Sequence, residues 1–253
     1  DLQQLADWLV ACRVTSVAME ATGVYWLPAF EVLEARGLQV SLINPHQLKH
    51  VPGRKSHIQD CQWIQRLHSY GLLSGSFQPE ADMRALRSYL RQRSTLLEHR
   101  AAHIQHMQKA LLQMNLQLPQ VVHDITGQTG LAIIRAIVAG ERDPQRLAQH
   151  RQPGCAQSAA TIAKALTDNY RAEHIFALKQ ALTLYDTYTQ QVRECDAEIE
   201  RQLQDLTADA DDELPPPAQR SKPASRSKNG PSYDARGLLY KLTGVDLCAI
   251  PGL

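Results

Sequence analysis

Apolar positions over residues 1–78 alternate between the helical and the strand period. The predicted elements are, in chain order, a helix carrying Leu2, Leu5, Trp8 and Leu9, a strand over 14–19, a helix over 26–35, a strand over 38–43 and a helix over 58–70. Gly37 and Gly71 are placed to end the second and third helices. Strand, helix and strand joined by short connections predict a βαβ unit with two parallel, adjacent strands.

Residues 79–206 are predicted to be helical, and two stretches of them carry heptad spacing, in which positions step alternately by three and four residues. The first stretch places Leu, Leu, Arg, Leu, Arg, Ile, Met, Leu and Met at 86, 90, 93, 97, 100, 104, 107, 111 and 114. The second places Ile, Leu, Leu, Tyr, Thr, Val, Asp, Ile, Leu and Leu at 175, 178, 182, 185, 189, 192, 196, 199, 203 and 206. The spacing predicts a coiled-coil hairpin or a dimerising stalk; two long helices of an ordinary bundle are the alternative. Shorter helices are predicted over 128–139, 143–150 and 158–168.

Composition changes at residues 207–232, where acidic residues, three prolines and an Arg/Lys/Ser run follow one another. Such a segment is typical of a disordered linker. The fold class is therefore α/β plus all-α, with an α/β part at 1–78, a helical part at 79–206 and the start of a further domain at 233–253. Both ends are expected to be cut, because the sequence starts without Met and stops in the middle of an apolar pattern.

Lys and Arg number 27 against 26 Asp and Glu, a formal net charge of +1. This balance excludes a uniformly basic protein, so any nucleic-acid surface is expected to be a local patch. No apolar run reaches the roughly 18 residues of a membrane span, and no membrane partner is expected. The five Cys are odd in number and form no CxxC pair, which fits a cytoplasmic protein whose cysteines are small buried side chains.

Two places in the α/β part carry side chains suited to chemistry. Glu20 directly follows the first predicted strand, and open α/β sheets bind ligands at the carboxyl ends of their strands. An acidic residue at a helix entry is the plainer explanation. His57 and Asp60, after the second strand, are three residues apart and share a helix face. Arg54 and Lys55 beside them are suited to phosphate contacts, or belong to a solvated turn.

Longer blocks of the sequence resemble a known family. The block over 18–73 contains an E-A-T-G motif and a later G-R-K-S motif, and further blocks lie at 86–118, 124–144 and 242–253. Together they resemble DEDD-type insertion-sequence transposases of the IS110 family, which are RuvC-like recombinases with a ribonuclease-H fold. The resemblance implies a partial RuvC-like catalytic domain, a helical coiled-coil region and the start of a helix-hairpin-helix-like transposase domain.

The resemblance also implies a site of four carboxylates, Asp, Glu, Asp and Asp, that binds Mg²⁺ or Mn²⁺. Glu20 matches the second carboxylate and Asp60 matches the fourth. These two residues are therefore the expected metal ligands. His57 stands at the position of the third, the first is expected on a strand outside the chain, and the family's serine nucleophile is expected beyond Leu253. Because Mg²⁺ prefers oxygen ligands and imidazole suits softer metals, Mg²⁺ binding is expected to be severely weakened.

Nucleic-acid contacts are expected on the first long helix, where Arg84, Arg87 and Arg91 follow helical spacing and can track one phosphate backbone. A solvated helix face is the alternative. Arg93 and Arg100 fall on heptad positions, where they can point at a partner helix instead. The resemblance implies DNA and an element-encoded guide RNA as partners, a nucleoid-associated location and a homo-oligomer formed through the heptad helices.

Three histidines, His99, His103 and His106, lie on one face of the same predicted helix. Such a set can bind a metal, but no carboxylate or Cys clearly completes it.

The predicted function is transposition of an insertion sequence by metal-dependent DNA strand cleavage and exchange, with an activity that is expected to be impaired in this chain. A non-catalytic remnant that binds nucleic acid or oligomerises is the main alternative. A small-molecule α/β enzyme with Glu20 and His57 as base and acid is a third, and the sequence lacks a P-loop or dinucleotide-binding motif that would support it.

Overall fold

The computed structural model of the chain describes residues 1–48, 57–208 and 228–250. It divides into two compact units, Asp1–Glu80 and Ala81–Leu253.

The first unit is a small α/β unit. Its elements are α1 (Leu2–Ala11), β1 (Ser16–Glu20), α2 (Trp26–Ala35), β2 (Gln39–Ile43), α3 (Pro45–Leu48) and α4 (His57–Ser69). The helix predicted over 26–35 is confirmed residue for residue. β1 starts two residues later than predicted, because Arg13 takes a positive φ of 59° and turns the chain out of α1. The short α3 was not predicted: Asn44 accepts the amide of His46 and so begins a helical turn where the strand ends.

The two strands are parallel and adjacent, which confirms the predicted βαβ unit. Ser16 pairs with Gln39, and the register runs to Glu20 opposite Ile43. Buried Ala6, Leu33 and Leu38 form the core beneath the strands, with the partly buried Val17, Met19 and Val40 against them. On the side of β2 away from β1, the carbonyl of Leu42 accepts the amide of Ser76 at 2.7 Å. A ribonuclease-H or RuvC-like fold stays a prediction, since the described sheet has two strands.

The second unit is helical. Its elements are α5 (Ala81–Gln113), α6 (Leu118–Val121), α7 (Gln128–Val138), α8 (Pro144–Ala148), α9 (Ala159–Ala165), α10 (Ala172–Leu206), α11 (Ala235–Thr243) and a short 3₁₀ turn (Leu247–Ala249). The predicted helices at 128–139, 143–150 and 158–168 are confirmed with ends shifted by a few residues. α6 is too short to show a helical period in the sequence, so the sequence did not predict it.

The two long helices, α5 and α10, pack against each other in antiparallel fashion. Leu86 near the start of α5 lies in one cluster with Ile199 and Leu203 of α10, whereas Met107 lies in another cluster with Leu182. The heptad positions predicted on α10 are confirmed as its inward face, being buried or half-buried throughout. Supercoiling of the pair stays a prediction.

The heptad positions predicted on α5 are only partly confirmed as buried: Leu86, Met107, Leu111 and Met114 are buried, whereas Leu90 is 45 % exposed. Leu96 and Ala110, each one residue before a predicted position, are buried as well. The buried face of α5 is thus wider than the single heptad stripe that the sequence predicted.

A close approach at Gly130 joins α7 to the turn before it. A Cβ on Gly130 would lie 2.3 Å from the carbonyl oxygen of Ile125, so that only glycine allows α7 to approach the preceding turn. That turn is formed by Asp124, whose Oδ1 accepts the amide of Thr126 at 2.7 Å.

A buried ion pair joins the two long helices near their middle. Arg93 of α5 donates from Nε to Oδ1 of Asp196 of α10 at 2.5 Å, and their side chains are 12 % and 3 % exposed. Asp196 also accepts the amide of Ser232 at 3.1 Å, and Arg93 donates to the carbonyl of Asn229 at 3.0 Å. Arg100 donates to the side-chain oxygen of Asn229 at 2.9 Å. The ion pair therefore also holds residues 228–232 on the helix pair.

Residues 228–232 belong to the segment predicted as a linker, whose residues 209–227 lie outside the described part of the chain. After them, Tyr233, Leu238 and Leu242 pack with Leu86 and Ile199 on the same end of the helix pair. In the structure, α11 thus belongs to the second unit.

We expect Asp196→Ala to destabilise the second unit by about 3–5 kcal/mol, because it leaves the Arg93 guanidinium buried without its charge partner. The matched control, Asp205→Ala, removes a carboxylate that contacts Arg201 at the surface, and should cost under about 1 kcal/mol. Urea unfolding followed by far-UV circular dichroism measures both. Equal losses in the two variants would show that burial of the Arg93–Asp196 pair does not matter to the fold.

Candidate functional site

Glu20 is the last residue of β1 and lies at the carboxyl end of the two-stranded sheet. Its partner in the register is Ile43, and Ala21 donates its amide to the carbonyl of Ile43 at 2.9 Å. The Thr22 hydroxyl donates to Oε1 of Glu20 at 2.9 Å. One carboxylate oxygen of Glu20 is therefore oriented by its own loop. Thr22 was not among the predicted site residues. Its position two residues after Glu20 was the feature of the sequence that could have indicated this hydrogen bond.

The turn after Glu20 depends on a glycine. Gly23 has a φ of 57°, in the left-handed region that favours glycine. Its carbonyl accepts the indole N–H of Trp26 at 3.1 Å, which links the turn to the first residue of α2. The E-A-T-G motif thus combines a half-buried carboxylate, its hydroxyl partner and the turn that leads into the next helix.

Asp60 lies in the first turn of α4 and is half-buried. A carboxylate in a first turn interacts favourably with the helix dipole, so this position has a structural explanation as well as a chemical one. His57 begins α4, three residues before Asp60 as the sequence indicated. The predicted phosphate-contacting residues Arg54 and Lys55 lie outside the described residues.

The opposite end of α4 contacts the start of β1. Ser16 Oγ and His68 Nε2 form a hydrogen bond of 3.0 Å, and Ile64 of the same helix is buried. Neither Ser16 nor His68 was singled out in the sequence, because nothing in a local pattern indicates a contact across 52 residues.

Within residues 1–48, 57–208 and 228–250, no three or more His, Cys, Asp or Glu side chains come together as a metal-binding group. Glu20 and Asp60 are the two carboxylates on which the predicted site depends. Mg²⁺ sites usually contain one or two carboxylates that water and substrate phosphate complete, so these two side chains would need such partners to hold the ion.

The arginines of α5 divide into two groups. Arg87 and Arg91 are exposed and make no ion pair with the described residues. Arg84 is half-buried and interacts with other groups of the protein. Arg93 and Arg100, whose heptad positions left a partner-helix role open, contact Asp196 and Asn229. Of the three arginines predicted to contact phosphate, Arg87 and Arg91 are therefore the exposed ones.

The transposase family model of the DEDD type (IS110) matches residues 1–116. Over these residues the chain is similar to the DEDD-type transposases. The resemblance that the motifs indicated is thereby confirmed over this range. Comparisons with curated proteins and with solved structures gave no significant match.

The DEDD transposase match spans the whole first unit and continues through α5. It therefore contains both Glu20 and Asp60, and also the exposed Arg87 and Arg91. The helices from α6 to α11 lie outside it.

The prediction that the cysteines are small buried side chains is wrong for the described residues. Cys12, Cys61 and Cys248 are exposed, and Cys155 and Cys195 are half-buried. Cys12 caps α1 and Cys248 lies in the 3₁₀ turn, and element ends are exposed positions. Among the described helices, none is both long and apolar enough to span a bilayer.

We expect Ser16→Ala to weaken the attachment of α4 to β1 by about 0.5–1.5 kcal/mol, the net value of one hydrogen bond. Amide hydrogen exchange of α4, read by mass spectrometry, should become faster accordingly. The control is Ser69→Ala on the same helix, because the Ser69 hydroxyl contacts Gln65 of its own helix at the surface. If both variants exchange like the parent protein, the Ser16–His68 bond contributes nothing to the packing of α4.

Proposed function

We propose that the chain is part of a DNA transposase that moves an insertion sequence by metal-dependent strand cleavage and exchange. The observation that carries the proposal is the position of Glu20, at the carboxyl end of a parallel strand within the segment that matches the DEDD transposases. Ligand sites of open α/β sheets lie at this edge. Glu20 and Asp60 are the proposed metal ligands, and His57 occupies the place of a third.

The lengths of α4 and β1 support a common site for Glu20 and Asp60. The Ser16–His68 hydrogen bond joins the last turn of α4 to the first residue of β1. From His68 back to Asp60 a helix rises about 12 Å, and from Ser16 to Glu20 a strand spans about 13 Å. A helix that runs back along the strand brings Asp60 to the level of Glu20, and we propose this arrangement.

Carboxylates at this place would supply the oxygen ligands that hold divalent metal around a scissile phosphate. The Thr22 hydroxyl fixes one oxygen of Glu20, which leaves the carboxylate oriented before any ligand arrives. His57 offers a nitrogen where the family has a carboxylate oxygen, and this removes one negative charge from the set. We therefore propose that the catalytic activity of this chain is impaired.

We expect Mg²⁺ titration of the protein, followed by calorimetry, to give no saturable site at low millimolar concentration, because the ligand set is short of oxygens. His57→Asp, which adds one carboxylate, should strengthen binding without restoring full strand-cleavage activity. Gln65→Asp serves as the control, since it adds the same charge at an exposed position further along α4. Vigorous Mg²⁺-dependent nicking of DNA by the unaltered chain would contradict the proposal of impairment.

For nucleic acid we propose the exposed face of α5 around Arg87 and Arg91. The two side chains are four residues apart, one helical turn, and neither is engaged by a carboxylate in the described residues. DNA is the partner that the similarity to transposases suggests. We also propose a guide RNA as a second partner. A homo-oligomer formed through α5 and α10 completes the proposal.

We expect the double variant Arg87→Gln/Arg91→Gln to bind a DNA duplex more weakly, with the slope of log K against log salt reduced by about 0.9 per lost phosphate contact. Fluorescence anisotropy at several salt concentrations measures both quantities. Lys179→Gln is the control, because Lys179 is an exposed cation on α10 outside the proposed surface. An unchanged slope in the double variant would remove α5 from the binding surface.

The second candidate function is a non-catalytic protein that binds nucleic acid or oligomerises, and the exposed arginines of α5 favour it. A gel-shift and cleavage assay with and without EDTA separates the two. DNA binding should persist with EDTA under both proposals, whereas metal-dependent product forms under the first alone.

A further inference from the structure

A cluster of four rings lies between α5 and α10, about one third of the way from the end of α5. His103 stacks on Tyr188 of α10, with ring centroids 5.4 Å apart and planes at 16°. His106 and His103 are arranged edge to face with ring centroids 5.4 Å apart, and so are His99 and Tyr188 with centroids 5.5 Å apart. Three titratable rings of α5 thus meet one aromatic ring of the partner helix.

The central ring of this cluster has an unsatisfied nitrogen. His103 Nδ1 is buried and has no hydrogen-bond partner among the described residues. Burial, together with the neighbouring His106 and His99, lowers the pKa of His103 below its ordinary value of 6.5. Each of these influences opposes the charged form of the ring, and no carboxylate counters them.

We propose that the His103 cluster is a proton-sensitive contact, which holds α5 and α10 together while the His103 ring is neutral and loosens their packing around Tyr188 when that ring is protonated. A neutral imidazole stacks on a phenol ring without a desolvation cost for charge. A charged His103 would place a cation without a partner for its buried Nδ1 beside two further imidazoles.

The surrounding groups leave this charge uncompensated. On α5 the titratable neighbours are His99 and His106, which carry the same sign when protonated. On α10 the ring contact is Tyr188, and buried Tyr185 lies one turn before it. The carboxylate nearest to Tyr188 in sequence, Asp186, accepts a hydrogen bond from Arg135 of α7 at 2.8 Å.

The direction of the pH effect follows from the lowered pKa of His103. The folded helix pair favours the neutral ring, so its stabilising contribution is fully present above pH 6.5, the ordinary value. It is lost progressively as the pH falls below that value towards the lowered one. The transition therefore lies on the acid side of neutrality.

The test is amide hydrogen exchange of the full chain at about pH 7.5 and about pH 5.5, expressed as protection factors so that the intrinsic pH dependence of exchange is removed. The proposal expects a several-fold loss of protection at the lower pH for residues 99–107 and 182–189. His103→Phe keeps an aromatic ring against Tyr188 and removes the titrating group, so it should lose most of the response. His103→Gln is a second variant, used if the phenyl ring disturbs the packing.

The matched control is His150→Phe, which replaces an exposed histidine at the end of the turn after α8 and should respond to pH like the parent protein. Equal protection at both pH values in the parent would overturn the proposal, and so would an unchanged response in His103→Phe. A melting temperature that rises with added Zn²⁺ and falls again with EDTA would also overturn it, since the rings would then bind metal rather than protons.

Discussion

The antiparallel packing of α5 and α10 has to accommodate one buried ion pair. Arg93 and Asp196 are both nearly inaccessible to water, and two buried charges are tolerated only when their geometry and remaining hydrogen bonds are satisfied. The remaining bonds come from Asn229 and Ser232, which follow 209–227 in the chain. The second unit is therefore completed by residues far along the sequence, and α11 packs on the helix pair beside them.

The inward face of α10 could be predicted from its spacing because that helix buries one stripe against one long partner. α5 could not be resolved in the same way, because Leu96 is buried although it lies off the predicted spacing, whereas Leu90 on that spacing is exposed. Asp196 weakened the heptad pattern in the sequence, and the structure shows why a charge is tolerated there: Arg93 lies opposite. The four-residue helices α3 and α6 carry no readable period, so their existence depends on local capping and packing.

For the candidate site, the sequence placed Glu20 correctly at the end of a strand and Asp60 in the first turn of a helix, since both are local properties. It did not reveal Thr22 as the partner of Glu20, or His68 as the contact of Ser16. Such contacts depend on side-chain direction and on tertiary packing, which periodicity does not encode. The metal ligands remain a proposal supported by the family match and by the lengths of α4 and β1.

The division of the chain into two units has a spectroscopic consequence. All three tryptophans, Trp8, Trp26 and Trp63, lie in the first unit, whereas the second contains the long helices. Indole fluorescence therefore reports on the α/β unit, while the helical signal in circular dichroism is dominated by α5 and α10. Unfolding curves recorded by the two methods observe different parts of the molecule, and a difference between their midpoints would measure how far the two units unfold independently.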